Sequence, residues 1–259
     1  TVMYELGLQQ QLSVNNSVNV TIFYRDIMNW LSSEYNFIDQ WDRYTRYVTQ
    51  DYGNVRGVTF SYTQRSTSLF TLNLDYTYQL AEGNASSPDA QYYDNQSIPP
   101  VESEKYVIPL DWDVRHSINT KIMITPRDDL GFSLINRFET GRPYTPQVQG
   151  QRNAPENSAR KPYHFTTDFR MYKYFNIGNS SFKLIFKVYN LFDRKNERYV
   201  FNDTGRAGSS LVPTYAGQSI KEHSDNPAIH SLNDWLYRPT YYSNPRQILL
   251  RLVYNFSMK

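Results

Sequence analysis

Cysteine is absent from all 259 residues, which removes disulfides, thiolate nucleophiles and thiolate metal sites. Missing too is any apolar run near the roughly 18 residues that a spanning helix needs, and the mean hydropathy is -0.66. A helical membrane protein is excluded. Charge of one sign is also scarce. The 27 Lys and Arg against 25 Asp and Glu leave a formal charge of +2 with no long basic run, so nucleic acid is not an expected partner. The histidines, His116, His164, His223 and His230, show no metal spacing such as His-Glu-x-x-His. With no Gly-x-Ser-x-Gly elbow and no phosphate-cradling glycine loop, neither an enzyme nor a cofactor or metal is expected.

What the chain has is aromatic surface and a period of two. Aromatics make up 16% of it, with 23 Tyr and 14 Phe, and Tyr suits a boundary between apolar and wet phases. From Phe70 to Leu80, the set Phe70, Leu72, Leu74, Tyr76, Tyr78 and Leu80 alternates with Thr71, Asn73, Asp75, Thr77 and Gln79. That is a strand with one greasy and one wet face. The same period predicts nine strands, near 4–13, 17–30, 44–63, 69–81, 112–125, 130–141, 163–175, 182–190 and 246–257. Phe23 is the misfit on the wet face of the second.

Short turns, at Asn15-Asn16, Pro126 to Asp129 and Asn176 to Asn179, alternate with long polar connections. Outer-membrane barrels carry that asymmetry, with short turns in the periplasm and long loops outside. The expected fold is all-β, a transmembrane antiparallel barrel. Nine strands do not make the usual even-numbered bacterial barrel, and an open sheet would leave two edges unpaired in lipid, so the chain is expected to be the C-terminal part of a larger one. A soluble β-sandwich also alternates and is the competing fold; it predicts a compact product soluble without detergent.

The closing run Asn244-Pro245-Arg246-Gln247-Ile248-Leu249-Leu250-Arg251-Leu252-Val253-Tyr254-Asn255-Phe256 resembles the last strand of TonB-dependent outer-membrane receptors. Val188 to Asn196 is similar to the family's Asn-Leu-Phe-Asp segment, and Thr140-Gly141-Arg142-Pro143-Tyr144-Thr145-Pro146 to the Gly-x-Pro-Tyr-Thr-Pro segment of Bacteroidetes-type members. Tyr4 to Gly7 and Tyr24 to Ile27 fit as well. The resemblance implies a 22-stranded barrel holding an N-terminal plug, of which residues 1–259 supply about the nine C-terminal strands. It implies active import of a scarce nutrient (siderophore, cobalamin, glycan or peptide) in the bacterial outer membrane, driven through TonB. Implied partners are outer-membrane lipid and lipopolysaccharide, the protein's own plug, TonB through the missing N-terminal part, and a surface lipoprotein as a further candidate. The alternative is a plugless barrel with a structural or adhesive role in a protein complex.

Three groups of residues carry these expectations. Asp75, Arg115, Lys121, Arg137, Asp168, Arg170, Lys183, Lys187 and Arg251 fall opposite the apolar face and should line the lumen, as plug-docking or substrate-path groups or as salt bridges within the wall. Tyr92, Tyr93, Arg142, Tyr144, Trp235, Tyr237, Arg238, Tyr241 and Tyr242 stand in or beside long loops, where they either meet a ligand or pack the loops together. Leu252, Tyr254 and Phe256 face lipid, and the resemblance makes them the barrel-insertion signal, although Ser257, Met258 and Lys259 follow the last aromatic.

Overall fold

Nine long strands follow one another as neighbours in a single antiparallel sheet. The computed structural model describes residues 1–38, 42–65, 69–96, 106–178, 180–215 and 236–255. The strands are β1 (Val2–Gln11), β2 (Asn16–Phe37), β3 (Arg43–Gln64), β4 (Phe70–Gly83), β5 (His116–Arg127), β6 (Leu130–Glu139), β7 (His164–Ile177), β8 (Ser180–Tyr189) and β9 (Gln247–Asn255). Sheet order equals chain order, and β1 and β9 each have one neighbour. Among the described residues the sheet is therefore open, with both end strands presenting unpaired backbone.

Register follows from the greasy and wet faces, because a slip of one residue would turn every side chain over. Leu6 pairs with Ile22 and Leu8 with Val20, and the turn between them closes as the Leu12 amide donates to the Asn16 carbonyl at 2.9 Å. Leu72 pairs with Ile122, Ile122 with Leu134, Leu134 with Phe169, Phe169 with Val188 and Val188 with Ile248. One face of the sheet is thus apolar across many strands.

Aromatic rings band that face at two levels. Near the short turns, Phe175 stacks on Phe182 at 5.5 Å and Phe182 lies 5.0 Å from Tyr254. At the other end, Tyr76 and Tyr78 flank His116 at 6.1 and 5.2 Å, Phe138 meets Tyr163 at 5.6 Å, and Phe165 meets Phe192. Phe165 and Phe175 are ten positions apart on β7. At about 3.3 Å per residue and a tilt of about 45°, they are separated by about 23 Å of depth, close to the roughly 25 Å apolar band of an outer-membrane barrel. Beyond the upper band charge returns on the same side, with the Arg56 to Glu82 ion pair at 2.9 Å.

The nine predicted strands are all present, with two marked differences in extent and one in a loop. β2 runs on past Trp30 to Phe37, because a bulge between Ile27 and Trp30 with Asn29 at φ 58 absorbs the break in alternation. β5 starts at His116 rather than 112, since residues 112–115 form a turn around the buried Asp113. The long loop after β4 contains a helix, α1 (Ala90–Gln96), and a two-residue strand, Ile108–Pro109, that pairs with the end of β4. No helix among the described residues is long and apolar enough to cross a membrane, which says nothing of strands.

Candidate functional site

The outer connections are held by five buried polar side chains, each replacing backbone pairing that an irregular segment lacks. Asp113 is fully buried and accepts from the Ala81 amide at 2.9 Å, from Arg115 Nε at 2.8 Å and from Arg160. Asn157, at φ 55, donates to Ser86 Oγ and to the Pro109 carbonyl, both at 2.9 Å, and so ties the loop after β6 to the loop after β4. Asn190 donates to the carbonyls of Arg194 and Asn244, while Asn196 accepts from the Phe165 amide and donates to the Phe165 carbonyl. Beside these four, the exposed Asp193 accepts from the Arg246 amide at 2.8 Å.

Glu197 is the fifth. It takes Arg206 through Nε at 3.0 Å and Nη2 at 2.7 Å, and it also accepts from the Ala207 amide. Burial alone would push its carboxyl up, but the Arg206 hydrogen bond, the Ala207 amide and the charges of Arg206 and Arg194 together hold it below the ordinary glutamate range. His164 Nε2 lies 2.8 Å from the Glu197 carbonyl. Next to this group, burial and then the Glu197 charge push the Tyr242 hydroxyl up. Lys161 is pushed down by burial and by the neighbouring Arg142.

The loop residues singled out from the sequence do not converge on one place. Tyr92 and Tyr93 lie on α1, ring to ring at 5.5 Å, with Tyr93 66% exposed. The segment before them is anchored where Tyr47 Oη donates to Asp89 at 2.9 Å. Arg142 is exposed, and Tyr144 sits in a small two-strand pairing with Ala159. Arg238 spreads over the rings of Phe201 and Tyr241, and Tyr241 also meets Tyr199 at 5.9 Å. Tyr237 is 72% exposed. Trp235 lies outside the described residues, as do His223 and His230.

On the wet face the nine charged residues divide. Arg137 pairs with Asp168 at 3.1 Å and Arg115 with Asp113 at 2.8 Å. Lys183 lies over the Tyr174 and Tyr172 rings at 4.4 and 5.1 Å and donates to the Tyr174 hydroxyl. Arg170 stands directly opposite Lys187 in the β7 to β8 register. On the apolar face Leu252 and Tyr254 stand opposite Leu184 and Phe182; Phe256 lies outside the described residues.

The sequence reading missed an apolar cluster on the wet side. Val55, Ala81 and Leu110 are buried there, with Phe23, Ile27, Trp30 and Trp112 packed against them. The out-of-pattern Phe23 was its signal. Its ring crosses Gly57, where an added Cβ would come within 2.6 Å of Phe23 Cζ and 2.3 Å of the Tyr78 carbonyl oxygen. Beside the cluster is a groove of about 500 Å³ lined by Glu5, Phe23, Arg25, Gln79 and Trp112 among others. A smaller one of about 320 Å³ lies between Arg137, Glu139, His164 and Asn196. No group of three or more His, Asp or Glu able to hold a metal occurs among the described residues.

No protein-family model matches the chain, and no curated protein does. Solved structures do. The outer membrane transporter YddB from Escherichia coli superposes with a TM-score of 0.59 at 14% identity, over 77% of this chain and 29% of that one. The fold is that of an outer-membrane transporter barrel. The ferric-catecholate import receptor Fiu from E. coli K12 aligns at a TM-score of 0.51 and 18% identity, over 79% of this chain and 25% of that one. The chain thus spans between a quarter and a third of the length of either. The likeness favours a barrel wall over the competing sandwich, as does the single unbroken sheet.

Proposed function

We propose that the chain is part of the wall of a TonB-dependent receptor in the bacterial outer membrane, importing a scarce nutrient bound by its outer loops. The observation that carries this is the apolar face banded by aromatics at two depths, on a sheet superposable on outer-membrane transporters. A second observation supports the incompleteness of the wall. Every residue of β1 is exposed, and an unpaired backbone row inside hydrocarbon costs several kcal/mol per group, so further strands close the barrel. The plug and the TonB contact belong to the rest of that protein.

In this reading the five buried hubs fix the loop bases, and ligand contact falls to what remains exposed above them, Tyr93, Arg142 and Tyr237 first. No covalent step is involved; import is binding followed by gating, driven by affinities that differ between states. The test uses the full-length protein in a Gram-negative host lacking its own importers. Cells expressing it should take up one member of a panel of ferric siderophores, cobalamin, maltooligosaccharides and peptides, and a protonophore should abolish that uptake. Uptake indifferent to the protonophore, or an open-pore conductance without uptake, would replace this reading with a plugless barrel.

A further inference from the structure

The loop after β8 holds a carboxylate of which only one oxygen is satisfied. Asp203 Oδ2 accepts from Ser210 Oγ at 2.6 Å and from the Leu211 amide at 2.7 Å, and so pins the turn that follows it. Its other oxygen, Oδ1, is buried and has no hydrogen-bond partner among the described residues. Glu197, earlier in the same loop, meets Arg206 and the Ala207 amide; Asp203 forms no ion pair with the described chain. A buried anionic oxygen left in that condition is costly and calls for a partner from outside the polypeptide.

Asp203 also lines a pocket of about 120 Å³, room for an ion and about three waters at roughly 30 Å³ each. Gln147 and Gln149, from the loop after β6, and Asn202 and Ser210 line it too, and no Lys, Arg or His does. The two loops already meet there, as the Gln147 amide donates to the Asn202 carbonyl at 3.0 Å. Asn202 Nδ2 turns to Gln147 Oε1 at 3.4 Å, which leaves Asn202 Oδ1 as a further oxygen with no donor among the described residues. Gln149 and Gly150, at φ 53 and 75, make the tight turn between the short paired strands Gln147–Val148 and Gln151–Arg152. One carboxylate among carboxamide oxygens, with no basic group, thiol or imidazole on the wall, selects a hard cation.

We infer that this pocket is a calcium site that joins the loop after β6 to the loop after β8. Ca²⁺ takes six to eight oxygens in loose geometry, so Asp203 Oδ1, the carboxamides of Gln147, Gln149 and Asn202, and water suffice; Mg²⁺ demands a tighter octahedron. With a single charged ligand the affinity should be that of extracellular modules, about 0.1–1 mM. That range suits a loop facing the outside, a placement that rests on the reading above. Because only one ligand is charged, the sequence carries no metal motif here.

The test is hydrogen exchange at constant pH on the full-length protein in detergent, stripped with a chelator and titrated with Ca²⁺. Exchange at the 147–150 and 201–212 amides should slow about tenfold once Ca²⁺ is about ten times its dissociation constant, while Mg²⁺ at that concentration does little. Asp203→Asn should abolish the response. Asn202→Ala, which spares the Asp203 Oδ2 bonds, should raise the midpoint severalfold, so that a lost ligand is told apart from a disrupted turn. No slowing with Ca²⁺ would mean that water alone satisfies Oδ1 and would overturn the inference. Equal slowing by Mg²⁺, or an unchanged midpoint in either variant, would overturn it as well. Protein that imports its nutrient under a proton gradient yet ignores Ca²⁺ loses this inference alone, and protein that binds Ca²⁺ through Asp203 yet imports nothing loses only the transport reading.

Discussion

The wet side of the wall is filled in one region and bare in another. At the outer end of β2–β4, Leu110 and Trp112 fold back over Val55 and Ala81, and Asp113 fastens them to the Ala81 amide. On β7–β9, Leu249 is 41% exposed and Arg170 faces Lys187 across the strand pair. Period two states which side a residue takes; it does not state what lies on that side. The wet side is therefore a self-packed core in one place and a more exposed row of charged and apolar side chains in the other, although the strands read alike.

The comparison breaks most severely at Asp113. Asp113→Ala leaves Arg115, Arg160 and the Ala81 amide without their acceptor and should cost about 3 kcal/mol or more in urea unfolding from lipid vesicles, with Asp113→Asn recovering part of it. Next comes the face assignment itself. Leu74→Arg, set toward lipid near mid-span, should cost about 2–4 kcal/mol in the same assay while Asp75→Arg costs far less; equal penalties would mean that the faces are misassigned. The two inner regions separate with Phe23→Ala, expected to lose about 2 kcal/mol in the full-length protein, against under about 1 kcal/mol for Leu249→Ala, a side chain left 41% exposed.

The smallest expected effect is in the outer loops. The folded pKa of Glu197 is depressed, so the stability it contributes is present above the unfolded glutamate pKa and is lost as pH falls through the lower, folded one. Protection of the 197–207 amides, taken relative to the intrinsic exchange rate at each pH, should therefore fall in acid below the ordinary glutamate range, and Glu197→Gln should abolish that dependence. Protection unchanged with pH in the native protein would remove Glu197 as the anchor.

Much of the wall was legible because each strand has only two faces and lipid tolerates one kind of side chain. Leu72, Ile122, Leu134 and Phe169 fall in one row for that reason alone. The loop hubs were not legible, since Asn157 and Asn196 look like any loop asparagines until distant carbonyls arrive beside them. The family-like Asn190 to Arg194 and Thr140 to Pro146 segments prove to be joints. Asn190 and Asp193 hold left-handed turns at φ 53 and 51, and Gly141 passes so close to the Lys161 carbonyl that no Cβ fits. Extra strand length in β2 escaped detection because a bulge resets alternation, and the eye reads the reset as an end.

The central claim is that one side of this sheet touches hydrocarbon and the other does not. Nitroxide labels placed one at a time from 165 to 175 along β7, in full-length protein cleared of any other cysteine and reconstituted in vesicles, test it most directly. Oxygen collisions should peak at the odd positions, among them Phe165, Phe169, Met171 and Phe175, and fall at Asp168, Arg170, Tyr172 and Tyr174. A profile without period two, or one protected on both sides as in a packed sandwich, would contradict the account.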